Sequence, residues 1–314
     1  MKYLVTGGAG FIGSNIVEEL LRRGEKVRVL DNFSTGKREN LTQFIDQIEL
    51  IEGDIRSYHI VREAVSGIDV VLHQAALPSV PRSIRDPITS NEVNVTGTLN
   101  ILNAAKDAKV KRVVFASSSS VYGDNPELPK HEGMIPNPLS PYAVSKLAGE
   151  KYCGVFSKIY GLETVSLRYF NVFGPRQDPN SQYSAVIPRF ITAIINDQRP
   201  VIFGDGEQSR DFTFVDNVVN ANILASTREN VSGIAVNCAC HGNITLNELI
   251  RKINEILGKN IEPIYLEERV GDIKHSFASI DKINILLGYE PQKNIFDGLM
   301  TTIEYYKNIY SGNI

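Results

Sequence analysis

The stretch that most constrains this chain is Gly7-Gly8-Ala9-Gly10-Phe11-Ile12-Gly13. It follows a short apolar run, Lys2–Thr6, and leads into Ile16, Val17, Leu20 and Leu21 at helical spacing, closed by Gly24. A buried strand, a glycine turn and an amphipathic helix in that order open a βαβ unit. In G-x-x-G-x-x-G, a relative of the dinucleotide-binding fingerprint, the glycines permit a tight turn, close approach of backbone to a pyrophosphate, and close packing of helix on strand. The helix N-terminus offers unpaired N–H groups and the positive end of its dipole to phosphate oxygens. A second strand, Lys26–Leu30, ends at Asp31. An acid there can hold a ribose 2′-hydroxyl, which favours NAD over NADP. Lys37 and Arg38 could meet a 2′-phosphate, but they come several residues past the strand.

The same rhythm continues. Strand-like runs recur at Lys2–Thr6, Lys26–Asp31, Ile48–Glu52, Asp69–His73, Lys111–Ala116 and Thr164–Tyr169. Helical patterns lie between them, including Ser57–Val65, Pro87–Ala108 and Pro141–Ile159. Alternation of this kind predicts an α/β fold with a doubly wound parallel sheet of the Rossmann type. After about Asn171 the rhythm breaks at the turn-rich Gly174-Pro175-Arg176-Gln177-Asp178-Pro179-Asn180. Asp216–Ala225 and Ile234–Asn237 read as one more helix and strand of the large sheet. Helices at Leu246–Leu257, Ile280–Leu287 and Ile295–Tyr306, with a strand near Ile264, suit a smaller α/β substrate domain. The expected division is 1–171 with 211–243 for the cofactor, and 172–210 with 244–314 for the substrate.

Composition closes off other classes. A formal charge of −3 over 314 residues gives no sign of nucleic acid binding. No apolar run is long enough to span a membrane, and the N-terminus reads as a core strand rather than a removable signal. Cys153, Cys238 and Cys240 make no disulfide framework, and Cys238-x-Cys240 lacks zinc spacing. They read as small, mostly buried side chains in a reducing cytoplasm, with no metal expected.

Chemistry enters at Tyr142-x-x-x-Lys146, at the start of a helical stretch and behind a strand ending in Ser117–Ser120. Tyrosine and lysine four apart share one helix face. An ammonium beside a phenol is expected to ease its deprotonation, giving a base for an alcohol proton near neutral pH. A serine hydroxyl can pass that proton along.

With these residues assembled, the chain resembles the extended short-chain dehydrogenase/reductase family over essentially its whole length, and within it the nucleotide-sugar 4-epimerases. The matching segments are Gly7–Gly13, Asp31-Asn32, Gly53-Asp54-Ile55, His73-Gln74-Ala75-Ala76, Ser117–Gly123, Pro141-Tyr142-x-x-x-Lys146, Leu167-Arg168-Tyr169-Phe170-Asn171 and Arg269-x-Gly271-Asp272.

The resemblance implies roles at numbered positions. Gly7, Gly10, Phe11, Ile12 and Gly13 would hold the pyrophosphate of NAD; Asp31, Asn32, Ser34 and Gly36 the adenosine ribose; Asp54 and Ile55 the adenine. Gln74, Ala75 and Ala76 would line the cofactor's middle, with Tyr169 near the nicotinamide. Ser118, Tyr142 and Lys146 would be catalytic, Lys146 also bonding the nicotinamide ribose. Tyr142 would take the proton of the sugar's 4-hydroxyl while C4 gives hydride to the cofactor. The 4-keto sugar would then turn and receive the hydride on its other face. Arg210 and Arg269 would clamp the diphosphate of a UDP-sugar, guanidinium being suited to bidentate phosphate recognition. Phe203 and Asp272 would touch uridine. Ser79, Asn171, Gln177 and Ala185 match sugar-pocket positions of epimerases that take N-acetylated hexosamines, and Ser276 falls where glucose-specific epimerases can carry a bulky tyrosine. The expected reaction is therefore interconversion of UDP-GlcNAc and UDP-GalNAc, with UDP-Glc and UDP-Gal handled equally or less well.

The relatives differ at readable positions. The 4,6-dehydratases carry Asp-Glu where this chain has Ser119 and Ser120. Uronate decarboxylases usually carry a glutamate in the same run. UDP-glucuronate 4-epimerases share a similar serine run but tend to have threonine where this chain has Asn171, and they are the alternative reading. A non-enzymatic NAD-binding regulatory protein is disfavoured, since no member of the Ser/Tyr/Lys set is missing. The family also implies a homodimer built on the helices read at Pro87–Ala108 and Pro141–Ile159.

Overall fold

The computed structural model describes residues 1–179, 186–268 and 274–311. Among the described residues the largest sheet has seven strands, all parallel. Six are β1 (Lys2–Thr6), β2 (Lys26–Asp31), β3 (Ile48–Glu52), β4 (Val70–His73), β5 (Arg112–Ser118) and β6 (Glu163–Tyr169). The seventh, Ile234–Cys238, adds beyond β6, as expected. From the other edge the order is β3-β2-β1-β4-β5-β6 and then Ile234–Cys238. The chain therefore runs outward from β1 and returns to β4 on its other side. The reversal between β1 and β4 opens a crevice at their carboxyl ends, where ligands of such sheets bind. β1, β4 and most of β2 and β5 are buried, which is why they are rich in apolar residues, Arg28 of β2 being a buried exception.

Helices cover both faces. α1 (Phe11–Arg22) lies on one, packed against Val215–Thr227 in a cluster with Val5, Val29 and Leu72. On the other, α2 (Tyr58–Val65) and Gly97–Asp107 pack with Leu4, Val71 and Phe115. The helix predicted at Pro87–Ala108 is helical over nearly that span but is not uniform. Regular turns at Pro87–Asn91 and Gly97–Asp107 flank a π-helical turn at Glu92–Thr96. A widened turn of this sort marks functional positions more often than ordinary helix does. Pro141–Tyr160 begins as its sequence dictates: Ser140 caps the Ala143 N–H at 3.2 Å, Pro141 occupies the first turn, and Gly161 closes it at φ 70°.

Beyond Asn171 the chain builds Val186–Ile195, Leu246–Leu257, Asp281–Leu287 and Ile295–Tyr310, with short strands between. The helix at Val186–Ile195 and that at Val80–Arg85 had no clear signal in the sequence. Ile191, Ile250, Ile253 and Tyr306 of this half join the same apolar cluster as Val5 and Val29. No described helix is long and apolar enough to cross a membrane.

Candidate active site at the switch point

Gly7 leaves β1 at φ 69°, a left-handed conformation that glycine adopts without strain. Its N–H donates to Leu30 O at 2.8 Å, and its carbonyl accepts from Gly10 at 3.0 Å. A Cβ on Gly13 would lie 2.1 Å from Gly7 O, and one on Gly7 2.7 Å from Ala75 N. Turn, helix and β4 exit thus touch backbone to backbone. Gly10 caps α1 with no side-chain hydrogen bond, so the first-turn N–H groups of Phe11, Ile12 and Gly13 are left for an anion. Asp31 is buried, and its carboxylate accepts from Ala9 N (2.9 Å) and Phe33 N (2.8 Å). Burial pushes its pKa up against the pull of these N–H donors. A Cβ on Gly36 would come within 3.0 Å of that carboxylate. Asn32 accepts from Ser34 N and donates to Asp54, which also pairs with Arg56 at 2.8 Å. Ile55 turns its side chain into the core against Gly97, so an adenine contact there is left to backbone. These residues fit a dinucleotide: an uncapped helix end for phosphate, and an acid beside it for a ribose.

At the exit of β4, Gln74 accepts from the Tyr169 hydroxyl (3.1 Å) and donates to Asn222 (3.1 Å), which donates back to Tyr169 (2.8 Å). Ala75 N reaches Thr6 Oγ1, and Ala76 follows in the same segment. Asn222, like Asn94, had no signal as a site residue in the sequence. Asn94, at the π-helical turn, accepts from Leu77 N (2.8 Å) and donates to Leu77 O (3.2 Å) and Ser145 Oγ (3.1 Å). It ties the segment after β4 to the helix that carries Tyr142.

The catalytic candidates converge at the end of β5. Lys146 is buried, and its Nζ donates to Ala116 O at 2.8 Å, 5.8 Å from the Tyr142 ring centre. Burial lowers its pKa to about 8. Tyr142 is held through its backbone, with its N–H donating to Ser83 Oγ at 3.0 Å. The expected downward shift of its phenol is not what the structure gives. Burial raises its pKa, and the neighbouring Ser118 pulls the other way. Desolvation outweighs charge here because Lys146 is spent on a carbonyl and stands off from the ring. The serine run divides its work: Ser117 donates to Glu150 at 2.5 Å, Ser118 Oγ accepts from Ser120 N at 3.2 Å, and Ser120 Oγ is buried with no partner among the described residues. Glu150 in turn takes two bonds from Arg168, each 2.8 Å, in a buried ion pair behind the site.

On the substrate side, one cavity brings together Asn171, Phe203 and Arg210, with Gln208 and Arg189, which sequence reasoning missed. Asn171, at φ 34°, donates to Asp211 O. Arg210 pairs in register with Ser276 on adjacent strands and donates to Lys274 O at 3.1 Å. Gln177 donates to Val172 O, and its Oε1 is buried without a donor among the described residues. Ser79, at φ 104°, caps Val80–Arg85 by accepting from Arg82 N. Ala185, Arg269 and Asp272 lie outside the described residues. No cluster of metal-ligating side chains occurs among the described residues, and the three cysteines are free.

This geometry has close counterparts. The chain is 42% identical to UDP-N-acetylglucosamine 4-epimerase from Methanobrevibacter ruminantium M1, solved with UDP-N-acetylmuramic acid, over 98% of each chain with a TM-score of 0.94. It is 37% identical over 317 residues to a UDP-glucose 4-epimerase of Mycolicibacterium smegmatis, covering 98% of this chain and 99% of that protein. It is 34% identical to a UDP-glucuronate 4-epimerase of Thermodesulfobacterium geofontis, covering 97% and 96%. Residues 3–239 match the model of the NAD dependent epimerase/dehydratase family, and the chain belongs to that family.

Proposed function

We propose that the protein is an isomerase that reversibly inverts C4 of a UDP-hexose, with UDP-GlcNAc and UDP-GalNAc as its preferred pair. NAD, when bound, supplies the acceptor and then the donor of the C4 hydride. The observation that carries the reading is the buried Lys146, locked to Ala116 O on the strand that ends in Ser118 and one helical turn from Tyr142, at the switch point. Tyr142 takes the 4-hydroxyl proton, Ser118 bridges sugar oxygen and phenol, and Lys146 holds a ribose. Ser119 and Ser120, which cannot act as acid and base, argue against elimination of water. Asn171 argues against a glucuronate, and the small Ser276 leaves room for a 2-acetamido group. Arg210 and Phe203, on one cavity, are assigned to diphosphate and uridine, with Arg269, Asp272, Ala185, Gln177 and Ser79 completing the substrate set.

We assign 1–171 with 211–243 to the cofactor and 172–210 with 244–314 to the substrate. Exposed Ile84 and Ile88, on Val80–Arg85 and Pro87–Asn91, and Val144, Val155 and Ile159, on Pro141–Tyr160, support a homodimer through Pro87–Ala108 and Pro141–Ile159, and we assign the protein to the cytoplasm. Incubation with UDP-GlcNAc, UDP-Glc and UDP-GlcUA separately, followed by separation of products, tests the function. Turnover of UDP-GlcUA alone would favour the glucuronate reading.

A further inference from the structure

The loop at residues 174–178 is pinned from both halves of the molecule. Arg176 sits at φ 67° and Gly174 at φ 153°. A non-glycine residue persists in the left-handed region when its surroundings hold it there, and such residues gather at ligand clamps. Here the restraints are specific. Arg176 forms an ion pair with Glu18 and lies 5.7 Å from the Phe44 ring centre. Asn15 Nδ2 donates to Pro175 O at 3.2 Å, and Lys37 Nζ meets Asp178 at 3.2 Å. Asn15 and Glu18 belong to α1, whose N-terminus is the glycine turn. The Lys37 N–H donates to Ala9 O, inside that turn, at 3.0 Å. From the other half, the Tyr306 hydroxyl donates to Gln177 O.

We infer that this loop is a latch that couples retention of NAD to assembly of the sugar pocket, with Arg176 as its positioning residue. The coupling rests on the reading of Gln177 as a sugar contact. Whatever holds the glycine turn and Lys37 in place holds α1, and α1 and Lys37 hold residues 175, 176 and 178. Gln177 lies between them. Linkage makes the effect reciprocal: a sugar that fixes Gln177 must tighten the cofactor by the same factor. Arg176 carries more of this than Lys37, because its side chain is 12% exposed against 48% and solvent screens the outer pair.

The test uses the full chain with Arg176→Ala, Arg176→Lys, Lys37→Met and Gln177→Ala. The rate of NAD loss after dilution and the affinity for UDP-GlcNAc and UDP-Glc by calorimetry are measured on each, and neither readout depends on turnover. Arg176→Ala should lose NAD about fivefold faster and bind the UDP-sugar about fivefold more weakly. Arg176→Lys should restore part of both, and Lys37→Met should speed loss about twofold. Lys37 is exposed, so its variant probes the latch even where Arg176→Ala folds poorly. Wild-type rates of NAD loss in folded Arg176→Ala and Lys37→Met would overturn the latch. Unchanged UDP-sugar affinity in Gln177→Ala would overturn the coupling, whatever the NAD rates.

Discussion

Lys146 Nζ is anchored 2.8 Å from the carbonyl of Ala116, two residues before Ser118 on the same strand. The ammonium is thereby fixed relative to Ser118 and to the helix that carries Tyr142. The acid–base group is assembled by the chain itself, from β5 and one helix, rather than by the ligand.

Tyr142→Phe removes the hydroxyl proposed to carry the proton and changes shape little. Turnover should fall by about 10² or more, the usual scale for a positioned acid–base group. Retained NAD, measured after denaturation, should be unchanged. Ser118→Ala should cost less, because water can replace its hydroxyl. Near-normal turnover in Tyr142→Phe would exclude Tyr142 as the base.

His73 gives the protein an acid sensitivity that can be assigned to one residue. Its ring is buried, bonded to Thr6 Oγ1 at 2.6 Å and Thr98 Oγ1 at 3.0 Å. Burial, with a smaller push from Lys146, lowers its pKa from 6.5 to about 3. The unfolded chain takes up a proton near pH 6.5 that the native state refuses until about 3. Stability therefore falls as the pH drops through that window, by about 1.4 kcal/mol per pH unit for this one group. Asp211, raised by burial to about 6, works in the opposite sense. The measurement is the slope of unfolding free energy against pH from 6.5 to 4.5, in wild type and His73→Gln. The variant should have a slope smaller by about that amount; equal slopes would show that His73 titrates normally.

Much of this was legible in the sequence, for a physical reason. Parallel strands buried on both faces must be rich in apolar residues, so β1, β2 and β4 stand out within a residue or two of their ends. The glycine turn was legible because side chains at Gly7 and Gly13 would collide with backbone. Other features arise only when distant segments meet. Asn94, Asn222 and Ser83 hold the site through partners far along the chain, and no local pattern records such pairings. The helix at Val186–Ile195 buries Ile187, Phe190, Ile191 and Ile194 on one face, a helical spacing that is short and follows a turn-rich stretch. The phenol's direction of shift was misjudged for a related reason: spacing shows that Lys146 is near Tyr142, but not how deeply both are buried.

Asp31 should decide the cofactor. Its carboxylate lies beside the glycine turn, at the end of β2, where it can receive ribose hydroxyls and would repel a 2′-phosphate. Protein purified without added cofactor should release NAD(H), not NADP(H), on denaturation. Asp31→Ser should weaken NAD and narrow its advantage over NADP in titrations. A clear preference of the wild type for NADP would remove Asp31 from this role and bring Lys37 and Arg38 forward.

The sugar itself is tested at Ser276. This residue pairs in register with Arg210, the proposed diphosphate clamp, and is half-buried. A small side chain there leaves room for a 2-acetamido group. Ser276→Tyr would fill that room, and overpacking a fitted site costs about 1–3 kcal/mol, or roughly tenfold to a hundredfold in rate or affinity. That loss should fall on kcat/KM for UDP-GlcNAc and UDP-GalNAc, while UDP-Glc and UDP-Gal lose little. As the proposed diphosphate clamp, Arg210 would meet both pairs alike, so damage to the clamp would lower all four values together. A selective loss therefore places Ser276 against C2 of the hexose, whereas an equal loss would place it at the diphosphate and remove it as a determinant of acetylated substrates.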